Sequence, residues 1–265
     1  MPALSISIVT PCLNGGAYFH PMLDSVLSQK GDYDLRWLVI DGGSTDGTID
    51  FLRSISDPRF QWVSETDRGQ TCAINKGLAM ANGDVVAWLN CDDLYLPGAL
   101  ATVTEAFEQN TSAQWLIGRC NLIGPDGVVA RAGITEYKNR RLRSYSYKTL
   151  LRMNYISQPA VFWRRSFGAS IGALDESLYW TMDYDLWLRM AQKSTPLLLD
   201  QTLASFRVHG SSKSRGGYRP QFSEGFRVAC RYTQRDRFSR WAHRFNIEKI
   251  VWGYRALRIF GRGLP

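Results

Sequence analysis

The sequence predicts an α/β fold: a parallel sheet with helices on both faces, followed by a basic helical tail. Two observations carry the prediction. Short β-branched runs alternate with helical periods through the first 110 residues, and acidic residues gather where successive strands end. The composition supports it, since 45% hydrophobic and 21% charged residues in a chain of 265 supply a sizeable core and exclude a disordered chain.

The elements follow in order. Leu4 to Thr10 is a β-branched run stopped by Pro11, and Phe19 to Gln29 then sets Phe19, Met22, Leu23, Val26 and Leu27 on one helical face. Arg36 to Asp41 is the second strand, running through a Gly-rich turn into a short helix. Phe60 to Ser64 leads to a helix over about Gln70 to Ala81. Asp84 to Leu89 leads to Asn90-Cys91-Asp92-Asp93 and a helix that Pro97 can open at its first turn. Right-handed crossovers join such parallel strands. Beyond residue 112 the pattern loosens. Gln114 to Ile123 and Val128 to Ala132 read as a hairpin about Gly124-Pro125-Asp126-Gly127, Gln158 to Trp163 as a strand, Tyr184 to Met190 as a helix and Ala204 to Val208 as a last strand.

Charge divides the chain. Residues 219 to 265 hold eleven basic and three acidic side chains, whereas residues 1 to 218 hold twenty-one of each. The neutral first part argues against a nucleic-acid-binding protein, which would carry a basic face there. The boundary gives two expected units, a neutral α/β domain over 1–218 and a basic tail over 219–265. The tail's aromatic residues interleave with arginines in one or two helices, the pattern of a segment lying on an anionic membrane surface. Five scattered cysteines form no zinc motif and read as free thiols in a reducing compartment. Neither an export signal nor a membrane span is expected, which gives a cytoplasmic protein, peripheral on the inner face of the membrane if the tail binds lipid.

In open α/β sheets, ligands bind outside the carboxyl ends of the strands. Asp41, Asp67 and Asp92-Asp93 fall at three such ends. An Asp at one junction is often a cap or turn residue, but a rim of carboxylates calls for a cation, and a hard divalent ion with a phosphorylated ligand satisfies it. The glycine-rich loops of ATPases and dehydrogenases are absent.

SIVTPCLN ending at Asn14, DGGSTDGT from Asp41, ETDRGQ from Glu65, AINKGLAMANGDVVAWLNCDD ending at Asp93 and YWTMDYDLWLRM from Tyr179 resemble, in order, the motifs of glycosyltransferase family 2. The resemblance covers roughly residues 4 to 210. It implies a GT-A fold, with a Rossmann-like mixed sheet, and an inverting enzyme that moves a sugar from a nucleotide-diphosphate donor, UDP by default, to a hydroxyl of a glycan or lipid-linked acceptor in cell-surface polysaccharide or glycolipid synthesis. It implies roles as well. Thr10, Pro11 and Asn14 would line the nucleotide pocket, with Asp41 and Asp67 facing base and ribose. Asn90-Cys91-Asp92 stands where the family has Asp-x-Asp, with Asp92 as ligand to Mg2+ or Mn2+, Asp93 near the donor sugar or pyrophosphate, and His209 as a further metal ligand. Asp183 matches the catalytic base. Gln158, Trp180 and Asp185 fall on the acceptor side, with Tyr179 and Trp163 near them. Two departures stand out: Asp41-Gly42 replaces a common Asp-Asp pair, and Asn90 brings no charge to the ion.

Asp183 and Asp185 are two apart and cannot share a helical face, so one of them can point into a site, and Asp185 is spaced to pair with Arg189. Asp183 would take the acceptor proton while a cation on Asp92 offsets the charge of the leaving diphosphate. A sugar-1-phosphate nucleotidyltransferase shares the layout but needs a basic glycine-rich loop after the first strand, and Pro11 to Gly16 has no basic residue.

Overall fold

The structure, a computed structural model, describes residues 3–210, 212–213, 218–234 and 236–259. Its centre is an eight-stranded sheet of order β3-β2-β1-β4-β7-β6-β8-β5. The strands β1 (Ser5–Cys12), β2 (Asp34–Asp41), β3 (Phe60–Ser64) and β4 (Val85–Trp88) are mutually parallel, as the alternating pattern predicts. The far half is mixed. β7 (Val161–Arg164) runs antiparallel to β4 and to β6 (Trp115–Ile123), β6 pairs parallel with β8 (Leu197–Arg207), and β5 (Leu94–Tyr95) closes the edge antiparallel to β8. This mixed sheet with helices on both faces is the GT-A architecture.

Alternation along each strand feeds two cores. On one face Ile6 and Ile8 pack with Phe19, Met22 and Val26 of α1 (Gly16–Leu27), Leu52 of α2 (Thr48–Ser54) and Leu100, Val103 and Phe107 of α4 (Ala99–Gln109). On the other, Val9 and Trp88 pack with Ile74 of α3 (Gln70–Met80), Leu150 of α6 (Tyr147–Arg152) and Trp187 of α8 (Met182–Lys193). The approach of α3 is close: a Cβ on Gly77 would lie 2.3 Å from a Val9 methyl, so that position accepts nothing larger. Trp163, expected near the acceptor, is core instead, edge-on to Trp88 with ring centroids 5.7 Å apart.

The expected hairpin is nearly absent. Its return arm makes Gly124 N to Val128 O and Ala130 N to Leu122 O bonds and one bridge, Ile123 to Val129. Arg131 then turns to φ 50° and opens α5 (Ala132–Arg143). Pro97 sits ahead of α4, which begins behind Gly98 at φ 78°. A short α7 (Arg165–Ile171) follows β7.

The basic tail forms α9 (Tyr218–Tyr232) and α10 (Arg237–Ile259). Both lie against the sheet-bearing part of the chain. Val228, Ala229 and Val251 are buried, and Ser239, His243 and Asn246 of α10 bond to the side chain of Arg152, the carbonyl of Leu151 and the carbonyl of Arg152 respectively, at the end of α6. No helix among the described residues is long and apolar enough to cross a membrane.

Candidate active site

A cleft of about 520 Å³ opens at the carboxyl ends of β1 and β4, a size suited to a small-molecule ligand. Pro11, Asp67, Asn90, Asp92, Gln158 and Asp183 all reach its wall, so residues from five segments converge there. A second cavity of about 280 Å³ lies between α5, α8, α9 and α10 and shares Gln158, Trp180, Asp183, Phe206 and Gln221 with the first.

Several of the expected nucleotide residues sit behind the cleft. Thr10 is fully buried, and its hydroxyl accepts the Trp37 indole N–H at 2.9 Å, so strand packing, not ligand contact, occupies it. Asp41 is also fully buried; it accepts the N–H groups of Gly43 and Ser44 at 3.0 Å and the Ser44 and Ser64 hydroxyls, and so holds the 41–48 loop rather than facing a base. Asn14, at φ 52°, accepts the Thr45 N–H at 2.9 Å and ties the first loop to the second without reaching the cleft wall. Asp67 does reach it. A Cβ on Gly42 would come within 2.9 Å of the Asp67 carboxylate, so the Gly that departs from the Asp-Asp pattern clears the place that Asp67 occupies.

The Asn90-to-Asp93 segment splits in the same way. Asn90 faces the cleft, accepting from Gln70 at 2.9 Å and donating to Asp93 at 3.0 Å and Gln158 at 3.2 Å. Asp93 is fully buried beneath it and also accepts the Arg207 N–H at 2.9 Å; burial, with the charge of Asp92 added, pushes its carboxyl well above the ordinary range. It therefore props the loop and does not meet the donor sugar. Asp92 points into the cleft, its Oδ2 2.9 Å from Nε2 of His209. Arg207 fixes this pair from below, donating to the carbonyls of Asp92, Gly124 and Pro125.

Among the described residues no three His, Cys, Asp or Glu side chains converge on one point. Asp92 and His209 do meet, and one carboxylate oxygen with one imidazole nitrogen is a donor set that a divalent ion accepts when ligand phosphates complete its shell.

Asp183 stands in the first turn of α8 at the wall common to both cavities. Its Oδ1 accepts the Tyr184 N–H at 2.6 Å. Burial raises its pKa to about 6, and the Tyr184 amide and Lys138 pull the other way. Burial also lowers the pKa of Lys138, which lines the second cavity. Asp185, expected on the acceptor side, points elsewhere: two residues on a helix is more than half a turn, and its carboxylate takes Arg189 at 2.9 Å and the Tyr232 hydroxyl at 2.7 Å. Gln158 donates to the Trp88 carbonyl at 2.6 Å, and Trp180 forms wall in both cavities.

Two residues at this site escape a sequence reading. Lys213 donates to Gln70 at 3.1 Å and lies 4.0 Å above the Tyr179 ring, placing a cation in the cleft; its trace in the sequence is a basic residue four positions after His209. Glu224 of α9, nearly buried, accepts the N–H groups of Tyr179, Trp180 and Thr181 just ahead of α8. An isolated Glu in a basic tail gives no hint of that.

Comparison with known proteins agrees with this geometry. Residues 7–168 match the model of the family described as Glycosyl transferase family 2. An uncharacterized glycosyltransferase of Mycobacterium tuberculosis is 28% identical over 216 residues, covering 80% of this chain and 79% of that protein. A PGL/p-HBAD biosynthesis glycosyltransferase of Mycobacterium bovis is 29% identical over 195 residues, covering 71% of this chain and 70% of its own. Among solved structures, the mannosyltransferase PcManGT of Pyrobaculum calidifontis, in complex with GDP-Man and Mn2+, superposes with a TM-score of 0.66 at 16% identity over 98% of this chain and 82% of its own. S. aureus TarS 1-349 with UDP-GlcNAc gives 0.64 at 15% identity, over 90% and 69%. With its motifs in order on a GT-A sheet and most of its length matched, the chain belongs to glycosyltransferase family 2.

Proposed function

We propose that this glycosyltransferase transfers a sugar, with inversion, from a nucleotide-diphosphate donor in the larger cleft to an acceptor hydroxyl in the smaller cavity. The observation that carries the reading is the place of Asp183 on the wall between the two. From there its carboxylate accepts the acceptor proton as the hydroxyl oxygen attacks the anomeric carbon from the second cavity. One base on one side of that carbon, and a departing diphosphate on the other, gives a single displacement. Fixing both reactants in line is worth up to about 7–11 kcal/mol of the barrier.

On the donor side, Asp67 and Pro11 border the nucleotide, Asn90 and Gln158 hold the floor, and Lys213 faces the diphosphate. Asp92 and His209 would hold Mg2+ or Mn2+, which supplies charge stabilisation to the leaving group when bound. Support for the metal comes from that donor pair and from the Mn2+ complex of PcManGT. The donor is UDP-linked by default. The UDP-GlcNAc complex of TarS supports that choice and the GDP-Man complex of PcManGT favours a GDP donor, so the base is set by experiment. The acceptor is a glycan or a lipid-linked saccharide of cell-surface polysaccharide or glycolipid synthesis, in line with the name of the M. bovis relative.

The test is thermal stabilisation by UDP, GDP and dTDP with and without Mn2+, followed by the anomeric configuration of the product made from the stabilising donor. Metal-linked stabilisation by one nucleotide and an inverted product are expected. A retained configuration would contradict the single displacement.

A further inference from the structure

Helix α10 carries two unlike faces. Ser239, His243, Asn246 and Ile250, spaced by three and four residues, turn inward, and His243, Asn246, Ile247 and Ile250 line the second cavity. On the opposite side Phe238, Trp241, Phe245 and Trp252 are 60%, 62%, 56% and 65% exposed. Three of these rings form a continuous stripe, Phe238 stacked on Trp241 at 6.0 Å and Trp241 on Phe245 at 5.5 Å between centroids, with Trp252 two turns further along the same side. Exposed Arg237 and Arg244 follow one flank and Lys249 the other, with Glu248 as the acidic residue among them. Water is a poor partner for such a stripe, and a soluble acidic protein would meet the arginines but not the exposed faces of Trp241 and Phe245. Trp and Phe with basic flanks are what the headgroup region of a bilayer takes up, the rings entering the acyl boundary and the cations meeting anionic headgroups.

We propose that the outer face of α10 docks on an anionic lipid bilayer, so that the second cavity receives its acceptor from that bilayer. The inference about the cavity rests on the reading of Asp183 as base; the docking of α10 does not. A helix with its side chains is about 10–12 Å across. With one face on the lipid, the cavity lined by the other lies one helix diameter from the surface, within reach of a saccharide attached to an embedded lipid. The cavity wall that α10 supplies is suited to the junction of the two, with Ile247 and Ile250 apolar beside Asn246. The exposed stripe then holds the mouth of the acceptor site at the depth where the lipid carrier presents its head.

The experiment is flotation of the full chain with vesicles of phosphatidylcholine alone or mixed with phosphatidylglycerol, at low and high salt. The wild type is expected to float with the mixed vesicles and to be released by salt. The combined variant Trp241→Ser, Phe245→Ser, which spares Phe238 because the Arg152 guanidinium lies 4.8 Å over its ring, is expected to lose at least about tenfold in partitioning, with its melting temperature and nucleotide-induced stabilisation unchanged. Arg244→Glu with Lys249→Glu, which leaves the rings in place, is expected to remove the preference for mixed over neutral vesicles. Equal partitioning into both vesicle types, flotation of the aromatic variant like wild type, or a dimer in sedimentation that these changes split without any vesicle binding would each overturn the proposal. Should Asp183→Asn float normally and still transfer sugar, the base assignment fails while the docking stands.

Discussion

Glu224 accepts both the backbone amide of Thr181, at 2.9 Å, and its hydroxyl, at 3.0 Å. With the amides of Tyr179 and Trp180 on the same carboxylate, a residue of the tail fixes the three residues that lead into α8 and set Asp183 at the cavity wall. Deleting it strands buried donors. Glu224→Ala is expected to lower unfolding stability by about 3 kcal/mol, within the range for losing a buried charged partner, and to lower kcat, whereas Glu224→Gln, which can fill part of the set, loses less of both. Denaturant unfolding checks the first and steady-state kinetics the second.

As the proposed base, Asp183 would have to be ionised to take a proton, and burial raises its pKa to about 6. Activity is therefore expected to rise with pH through about 6 and then level. Stability moves the other way. The folded protein holds this proton more tightly than the unfolded chain, so the contribution is full below the usual carboxylate pKa and is lost as pH climbs through 6. Asp183→Asn removes that loss and is expected to be more stable than wild type at neutral pH by on the order of 1–3 kcal/mol, read from melting curves at pH 5 and pH 7.5.

Asp92 and His209 face each other at 2.9 Å. Asp92→Asn and His209→Ala are each expected to weaken Mn2+-linked nucleotide binding by about tenfold or more, measured by calorimetry. Stabilisation by nucleotide should fall on adding a chelator in wild type and be insensitive to it in Asp92→Asn.

Gly42→Asp, which would restore the common acidic pair, brings a side chain to within 2.9 Å of the Asp67 carboxylate. The expected result is a loss of about 1–3 kcal/mol through crowding and a higher donor KM, with kcat nearly unchanged.

β5 apart, the fold of residues 4 to 109 was legible because β1, β2 and β3 are each followed by their own helix and β4 leads to α4 within about ten residues, so local periodicity carries the topology. The reversal of β7, the two-residue β5 and the short helices α6 and α7 have no such local signature; their partners are fixed by long-range pairing. At the site, motif order places Asp92, Asn90, Gln158, Trp180 and Asp183 at the cleft, and His209 meets Asp92 across 117 positions. Asp41, Asp93 and Thr10 carry the same motifs but are buried, because a carboxylate or hydroxyl at a strand end reads alike whether it faces a ligand or receives donors from its own loop. Likewise, the excess of arginine in the tail shows a basic segment, and it takes the packing of α9 and α10 to separate the inward residues from the exposed aromatic stripe.

The most direct measurement compares Asp183→Asn with wild type for donor affinity by calorimetry and for sugar transfer in the same preparation. A nucleotide-sugar Kd within about threefold of wild type together with turnover reduced by about a thousandfold or more, in the range for a lost general base, is the expected result. Near wild-type transfer by the variant, or loss of donor binding that accounts for the lost turnover, would contradict a base standing between two substrate cavities.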